Sequence, residues 1–441
     1  MDGSTSGHLL SWGNLRARLM QAGIWVLVGF VLDKLIATAQ LMVLARLLMP
    51  SDFGLMATSA VVIVTASTLV EVGLEQSLIA RQQVTHGDLM TAWIIGIGRS
   101  LGLGSILFVC AGPIAQIFHA PPLEWILRMH CVGLLIQSLQ SPALTVLLRN
   151  LDLKRRVKLD LLRRICEATV TLGLAVWLHS VWALVIGQLT GFAIGSLASY
   201  SVAPFHPRWS WDWKRVGQFI EYGKYVNLTS VLIMGVMSGG ELAISFLLGV
   251  ESLGLYQIAM AIPVLIGIRL PMMMNQVAMP AYAFVEQSRQ VAGRMFTMQV
   301  GLVAILLVPL TAIVMIWAPE IIQTMAGERW MEAAEPLRIL AVFMACYALS
   351  SVMGAFYLGM RHPEYQTRCW IVQFLIYAGT IAPFTAHAGL RGAAGALSLS
   401  FAIGFAMHLR YARTALGEKM PSFLGILRQE YPRVVESIRG R

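Results

Sequence analysis

The sequence predicts an all-α polytopic membrane protein of about twelve transmembrane helices, arranged as two six-helix lobes around a central cavity. Composition, the positions of Lys and Arg, and an internal repeat predict this fold class. Of the 441 residues, 57% are hydrophobic and only 13% are charged, whereas soluble proteins carry about 25% charged residues. Lipid must therefore be the solvent for most of the surface.

Apolar runs of membrane-spanning length recur along the whole chain. A spanning helix needs about 20 predominantly apolar residues, and these runs are too long and too continuously apolar for barrel strands. The first run follows Arg16 and Arg18 as a signal peptide would, but we interpret it as a retained helix because the repeat described below includes it. The predicted spans are 20–44, 55–79, 91–115, 123–147, 165–179, 181–203, 220–248, 254–281, 295–318, 337–360, 367–387 and 390–412.

The basic residues of the connections predict the orientation. With the N-terminus inside, the inner segments hold 24 Lys and Arg residues and the outer connections hold 3, as the positive-inside rule requires. Both termini are therefore predicted to be cytoplasmic. The same distribution accounts for the net charge of +10 without a nucleic-acid partner, since no aromatic-basic platform accompanies the charges.

An internal repeat relates the two halves of the chain. At an offset of 200, Leu47, Leu48, Gly54 and Leu55 match Leu247, Leu248, Gly254 and Leu255. Two weaker echoes follow in the same order, Pro122-Leu123 with Pro336-Leu337 and 191–195 with 400–404. Three echoes at equivalent points indicate duplication.

The repeat predicts the domain organisation. An N-terminal lobe spans 1–203, a cytoplasmic linker 204–219, a C-terminal lobe 220–416, and a cytoplasmic amphipathic tail 417–441. Because each lobe has an even number of helices, both lobes enter the membrane in the same direction. We therefore expect a pseudo-two-fold axis along the membrane normal, with the substrate bound between the lobes.

Several motifs together resemble one transporter family. They are A-R-L-L-x-P-x-D-F-G-L at 45–55, E-V-G-L-E-Q-S-L-I at 71–79, V-W-A-L-V-I-G-Q at 181–188, L-L-G-V-E-S-L-G-L-Y at 247–256 and G-E-R-W-M-E-A-A-E-P-L-R at 327–338. Over roughly 40 to 415 the chain resembles polysaccharide-type flippases of the multidrug, oligosaccharidyl-lipid and polysaccharide transporter superfamily. It departs from many relatives late in the seventh helix, where Gly240 and Phe246 stand at positions that are acidic and Arg in those relatives.

The resemblance implies a function and a set of partners. The cargo would be an undecaprenyl-pyrophosphate-linked sugar repeat unit, such as one of O-antigen or exopolysaccharide, flipped across the bacterial plasma (inner) membrane for cell-surface polysaccharide biosynthesis. Membrane lipids and a glycan polymerase or export machinery are the other partners it suggests. An ion-coupled drug or cation antiporter of the same superfamily is the nearest alternative. No cofactor is expected.

Two arginines in apolar spans are the candidate substrate ligands. Arg99 lies in the third predicted span and Arg269 near the middle of the eighth. Charges inside a bilayer are costly and usually mark pathways or partners, and a pyrophosphate requires bidentate donors such as guanidinium groups. We expect both to line the central cavity. The alternative is that each pairs with a nearby acid and only holds helices together.

Acidic residues are candidates for ion coupling. Glu71 and Glu75 lie four residues apart and share a helix face, and Asp33 lies within the first span. Salt bridging is the alternative for the glutamate pair. Asp33 and Lys34 are adjacent, so they point about 100° apart on a helix. They are therefore not expected to neutralise each other, and at least one should have a partner elsewhere.

The basic run from 149 to 164 is interpreted as an amphipathic cytoplasmic connection. Arg155, Arg156 and Lys158 in this run are the candidate contacts to anionic lipid headgroups, with a simple topology signal as the alternative. An enzyme, such as a glycan polymerase or ligase, needs an acid, a base or a metal at one membrane face. The sequence shows no such cluster and no metal motif, and its five cysteines are dispersed.

Overall fold

The structure is a computed structural model. It describes residues 12–70, 78, 84–149, 152–207, 231, 233–272, 274–275, 282, 289–360 and 363–416. The side chains of 12–24, 26, 148–149, 289–290, 358–359, 363 and 415–416 are not described. Over these residues the regular structure is entirely helical, because hydrocarbon contains no water for unpaired backbone groups.

The helices follow one another with short connections. In chain order they are α1 (Trp12–Leu47), α2 (Pro50–Leu69), α3 (His86–Ile117), α4 (Leu123–Ser138), α5 (Leu144–Arg149), α6 (Leu153–Leu178), α7 (Trp182–Val202), α8 (Gly239–Leu248), α9 (Val250–Ile262), a π-helical segment (Pro263–Arg269), α10 (Arg289–Ile316), α11 (Ala318–Met325), a 3₁₀ segment (Glu328–Ala333), α12 (Ala334–Gly359) and α13 (Pro363–Leu416).

Length and apolar composition make eight of the described helical stretches candidate membrane spans. One of them, Glu364–Thr414, has 51 residues, although a single crossing needs only about 20. Gly389 interrupts this stretch with φ 57° and ψ −137°, a conformation that glycine adopts without strain. The stretch is therefore long enough for two crossings that meet at Gly389, where the sequence predicts a boundary. The total of twelve crossings stays a prediction.

Two predicted spans depart most clearly from the described helices. The span 123–147 is interrupted because α4 ends at Ser138 and α5 begins at Leu144. Pro142 lies in the gap, and a proline disfavours helical geometry for the residue before it. That residue, Ser141, bonds instead to α7: its N–H donates to Ser199 Oγ at 2.9 Å, and its hydroxyl donates to the Ala203 carbonyl at 2.7 Å.

The helix that contains the fifth predicted span starts earlier than the span does. Instead of beginning at residue 165, α6 runs without a break from Leu153 to Leu178. The basic run is therefore mostly the first half of a helix that continues into the predicted span. Ion pairs along its surface, such as Arg156 Nε to Asp160 Oδ2 at 3.2 Å, support the helix at the i,i+4 spacing.

Two compact units account for the described residues. The first comprises those within 1–49 and 62–228, and in it α6 packs against α7 and α1, and α3 packs against α4. The second comprises those within 50–61 and 229–441, and in it α12 packs against α13 and α10. Most of the predicted linker and the whole predicted tail lie outside the described residues. The predicted lobe boundaries stay a prediction.

Within the second unit, two glycines related by the repeat face each other's backbone. A Cβ on Gly54 would lie 1.6 Å from the Val250 carbonyl oxygen, and a Cβ on Gly254 would lie 1.9 Å from the Pro50 carbonyl oxygen. Pro50 and Val250 are themselves 200 residues apart, so the contact is reciprocal. Only glycine permits this approach, as at other close helix contacts in membranes.

Side chains reinforce the same contact. Thr58 Oγ1 and Ser245 Oγ form a buried hydrogen bond of 2.7 Å between α2 and α8. Phe53 packs edge-on against the fully buried Trp330, with ring centroids 5.2 Å apart. The start of α2 is thus fixed to α8, α9 and the 3₁₀ segment by backbone, hydroxyl and aromatic contacts together.

Alanine at either glycine should destabilise the protein. Gly54→Ala and Gly254→Ala each force two backbones apart, so we expect each to cost about 1–3 kcal/mol or more of folding stability. Because the contact is shared, the double variant should cost less than the sum of the two. Thermal unfolding of the purified protein measures both effects.

Gly239→Ala is the matched control, since a Cβ there meets no described atom within 4 Å. We expect the control to unfold at the wild-type temperature. Wild-type stability of both Gly54→Ala and Gly254→Ala would contradict the close approach.

Candidate functional site

Arg99 lies in the middle of α3, the 32-residue helix from His86 to Ile117. Its side chain is half-buried and takes part in a contact within the protein. The neighbouring Gly98 and Gly102 have open space beside them, since a Cβ at either position would meet no described atom within 4 Å. The helix surface is therefore open at these two glycines close to Arg99.

Arg269 is the last residue of the π-helical segment Pro263–Arg269. Such segments are rare and occur frequently at functional sites. Arg269 is exposed, and the π-helical segment that it ends packs against α12. Arg99 belongs to the first unit and Arg269 to the second. Their shared role in a central cavity stays a prediction.

Asp33 is part of an ion-pair network in the first unit. Its carboxylate contacts Lys34 Nζ at 2.8 Å and Arg164 Nε of α6 at 3.7 Å, and Arg164 also contacts Glu167 at 3.1 Å. The expectation that Asp33 and Lys34 do not neutralise each other was wrong, because the long lysine side chain bends back to its neighbour. The partner expected elsewhere is present as Arg164.

These contacts fix how α1 and α6 meet. The described acid and base groups compensate one another, which reduces the cost of placing them between apolar helices. The pairing favours a structural role for Asp33, and its role in ion coupling stays a prediction. The other two candidates for coupling, Glu71 and Glu75, lie outside the described residues.

A cavity of about 380 Å³ also lies between α1 and α6, lined by apolar residues and by Asp33, Arg156, Asp160 and Arg163. The three candidate headgroup ligands are placed on the adjoining part of α6. Arg155 is exposed and pairs with Asp152 at 3.3 Å, Arg156 pairs with Asp160, and Lys158 is exposed. This surface can meet a lipid headgroup region, but the headgroup contact itself stays a prediction.

Glu241 is half-buried and lies beside residues of other helices. It lies in the first turn of α8 and hydrogen-bonds to Gln257, next to the buried Tyr256 and Tyr377. A Cβ at Gly240 would lie 1.7 Å from the Tyr377 hydroxyl. Tyr377 therefore fills the space beside Gly240, a position where the sequence departs from many relatives. The polar partners come from other helices, so sequence reasoning did not find them.

Across the described part of the chain, no group of three or more His, Cys, Asp or Glu side chains is arranged to hold a metal ion. The buried His130 instead pairs with Gln188 through Nε2 and Oε1 at 2.6 Å.

Comparison with known sequences identifies the family. The profile of the family described as polysaccharide biosynthesis protein matches residues 43–335. The lipopolysaccharide biosynthesis protein WzxC of Escherichia coli (strain K12) is 19% identical over 344 residues, which cover 78% of this chain and 70% of that protein. The teichuronic acid biosynthesis protein TuaB of Bacillus subtilis (strain 168) is 22% identical over 333 residues, 75% of this chain and 68% of that protein.

Solved structures share the fold. The lipid II flippase MurJ in an inward closed conformation superposes with a TM-score of 0.76 at 13% identity, over 91% of this chain and 90% of that one. An inward-facing multidrug resistance MATE family transporter of the MOP superfamily superposes with a TM-score of 0.69 at 15% identity, over 87% of this chain and 94% of that one. Since the profile match covers more than half of the sequence, the chain belongs to the polysaccharide biosynthesis protein family, as its motifs predict.

Proposed function

We propose that this protein flips an undecaprenyl-pyrophosphate-linked oligosaccharide repeat unit from the cytoplasmic to the periplasmic leaflet of the inner membrane. The family match over 43–335 is the observation that carries the proposal. The names of its relatives concern lipopolysaccharide and teichuronic acid biosynthesis. A relative from Rhizobium meliloti (strain 1021) is named a succinoglycan biosynthesis transport protein, ExoT.

The chemistry of the proposed cargo explains why cations belong on membrane helices. A pyrophosphate cannot cross hydrocarbon unless fixed charges replace its lost hydration. Guanidinium groups do this well because their paired N–H donors match phosphate oxygens. Arg99 beside an open helix surface and Arg269 on a π-helical segment are the described residues best suited to this role.

Transport would proceed by alternating access of the two lobes, 1–203 and 220–416, with both termini cytoplasmic. Breaks in regular helical geometry, such as Gly389 and the segment beginning at Pro263, supply positions where helices can bend between two states. No P-loop motif is present in the sequence, so the driving force would be an ion gradient, the membrane potential or downstream use of the product.

The covalent structure of the cargo would not change. We therefore do not assign an enzymatic activity, and glycan polymerisation is left to a partner acting on the flipped lipid. An ion-coupled antiporter is less well supported, because the described acid in the first span, Asp33, is already paired with Lys34 and Arg164.

Removing either intramembrane arginine charge should abolish export. Deletion of the gene is expected to accumulate the lipid-linked repeat unit in the cytoplasmic leaflet, and a wild-type copy should restore export. Arg99→Gln and Arg269→Gln should each fail to restore it, because a neutral amide cannot compensate a pyrophosphate charge. Quantification of surface polysaccharide and of the lipid-linked intermediate measures the effect.

Arg413→Gln is the matched control, since Arg413 is exposed in the last turn of α13. We expect the control to export normally and all three variants to reach wild-type membrane levels. Wild-type export by both Arg99→Gln and Arg269→Gln would disprove the pyrophosphate role of these residues.

Substitution of Asp33 should separate ion coupling from structural pairing. In Asp33→Asn, Lys34 and Arg164 lose a charged partner, and we expect a stability loss of about 1 kcal/mol or less because the pair is partly exposed. Export should persist with the same energy dependence as in the wild type, and Asp33→Glu should resemble the wild type. Unchanged stability combined with complete loss of export would instead assign Asp33 to coupling.

A further inference from the structure

A polar cavity of about 160 Å³ lies inside the second unit, among the residues after the π-helical segment, α12 and α13. Its polar lining is uncharged and comprises Asn275, Ser350, Ser351, Gln366, Gln373 and His408. The rings of Tyr347, Trp370 and Phe401, together with Ala355, form its remaining wall. We call this space the polar cavity.

Four polar atoms of this lining are buried without a hydrogen-bond partner. They are Asn275 Oδ1, Ser350 Oγ, Gln373 Nε2 and His408 Nδ1. The Ser350, Gln373 and His408 residues are between 1% and 6% exposed. A buried polar group that lacks a partner costs about 1–3 kcal/mol, so four in one cavity indicate that something polar fills it.

Local contacts hold these groups in place around the cavity. Asn275 uses its amide N–H groups on the Ser351 carbonyl at 3.0 Å and the Ser351 hydroxyl at 2.8 Å, so its Oδ1 remains available as an acceptor. His408 stacks on Tyr357 at a centroid distance of 5.7 Å and an interplanar angle of 10°. The polar lining is therefore preorganised.

Glycines make room for the two glutamine amides. A Cβ at Gly404 would lie 1.9 Å from Gln373 Nε2, and a Cβ at Gly354 would lie 3.0 Å from Gln366 Nε2. The aromatic wall is also fixed, since Phe401 packs against Tyr347 at 5.4 Å and against Trp370 at 6.1 Å between ring centroids. Both the donors and the apolar wall thus have defined positions.

We propose that the polar cavity binds a neutral sugar ring of the lipid-linked cargo. The free atoms include an amide donor, an amide acceptor and a hydroxyl, which match the mixed donors and acceptors of a polyol. Aromatic side chains present apolar faces to the carbon skeleton of such a ring. The uncharged lining disfavours a phosphate, and a cavity of about 150 Å³ can hold a six-membered carbon ring such as benzene, so the space fits the ring of a single sugar at most.

The position of the polar cavity relative to Arg269 fits a cargo that has a charged part and a neutral part. Tyr347 of α12 lines the polar cavity, and α12 packs against the π-helical segment that ends at Arg269. The pyrophosphate would be held at Arg269, and a sugar next to it would enter the cavity. This inference rests on the proposed function for the identity of the cargo, whereas the polar cavity is defined by the structure.

The test measures sugar binding directly, using the purified full-length protein in lipid nanodiscs. Saturation-transfer NMR with methyl glycosides of glucose, galactose and N-acetylglucosamine should show contact for at least one of them. Gln373→Met keeps the side-chain length but removes the amide, and Ser350→Ala removes the hydroxyl. Each should weaken glycoside binding about fivefold, as expected for one lost hydrogen bond.

Gly404→Ala and Gly379→Ala form a matched pair in α13. The first places a methyl group against the Gln373 amide, whereas a Cβ at Gly379 meets no described atom within 4 Å. We expect Gly404→Ala to lose glycoside binding and Gly379→Ala to retain it. Inorganic pyrophosphate, followed by phosphorus NMR, should bind wild type and Gln373→Met equally.

Two outcomes would overturn the inference. Absence of saturation transfer to every glycoside would mean that water alone occupies the polar cavity. Equal binding by the wild type, Gln373→Met and Ser350→Ala would place the sugar elsewhere, and these two variants remain informative even if Gly404→Ala does not fold. A separate translocation assay tests the proposed function independently of the sugar site. Flipping without glycoside binding would reject only the sugar site. Glycoside binding without flipping would reject only the transport function.

Discussion

A hydrocarbon environment offers no water to backbone or side-chain polar groups, and this constraint explains most of the described structure. The described segments are helical, and where α4 stops, Ser141 finds partners on α7. Asp33 is satisfied by Lys34 and Arg164. The unpartnered atoms of Ser350 and Gln373 differ from other buried unpartnered atoms because they line one cavity together, which is why we assign them to a ligand.

The same constraint explains the role of small residues. Apolar side chains gain little from leaving lipid for another helix, so helices associate through close packing and interhelical hydrogen bonds. Gly54 and Gly254 provide such packing, and the buried Thr58–Ser245 bond supplies a polar contact beside them. Gly404 has a different purpose, because the space it leaves is occupied by the amide of Gln373. Close packing and a polar binding site therefore use the same residue type for separate reasons.

The sequence predicts the all-helical character and several helix bounds, because long apolar runs have a direct physical meaning in lipid. The predicted span 337–360 corresponds to Ala334–Gly359, and 181–203 corresponds to Trp182–Val202. The early start of α6 was missed because its first half is basic. The polar cavity was missed because the search for site residues considered charges, whereas Gln373 and Ser350 are neutral and acquire meaning only through partners far apart in the chain.

Reconstitution tests the central claim most directly. Purified protein is placed in liposomes that contain the undecaprenyl-pyrophosphate-linked repeat unit, and a membrane-impermeant glycosidase is added outside. In liposomes that contain the protein, we expect the glycosidase to reach the cargo lipid of both leaflets. In protein-free liposomes, it should reach only the cargo lipid of the outer leaflet. Cargo lipid that is not cleaved should be chemically unchanged. Protection of the inner leaflet in both preparations would contradict the account.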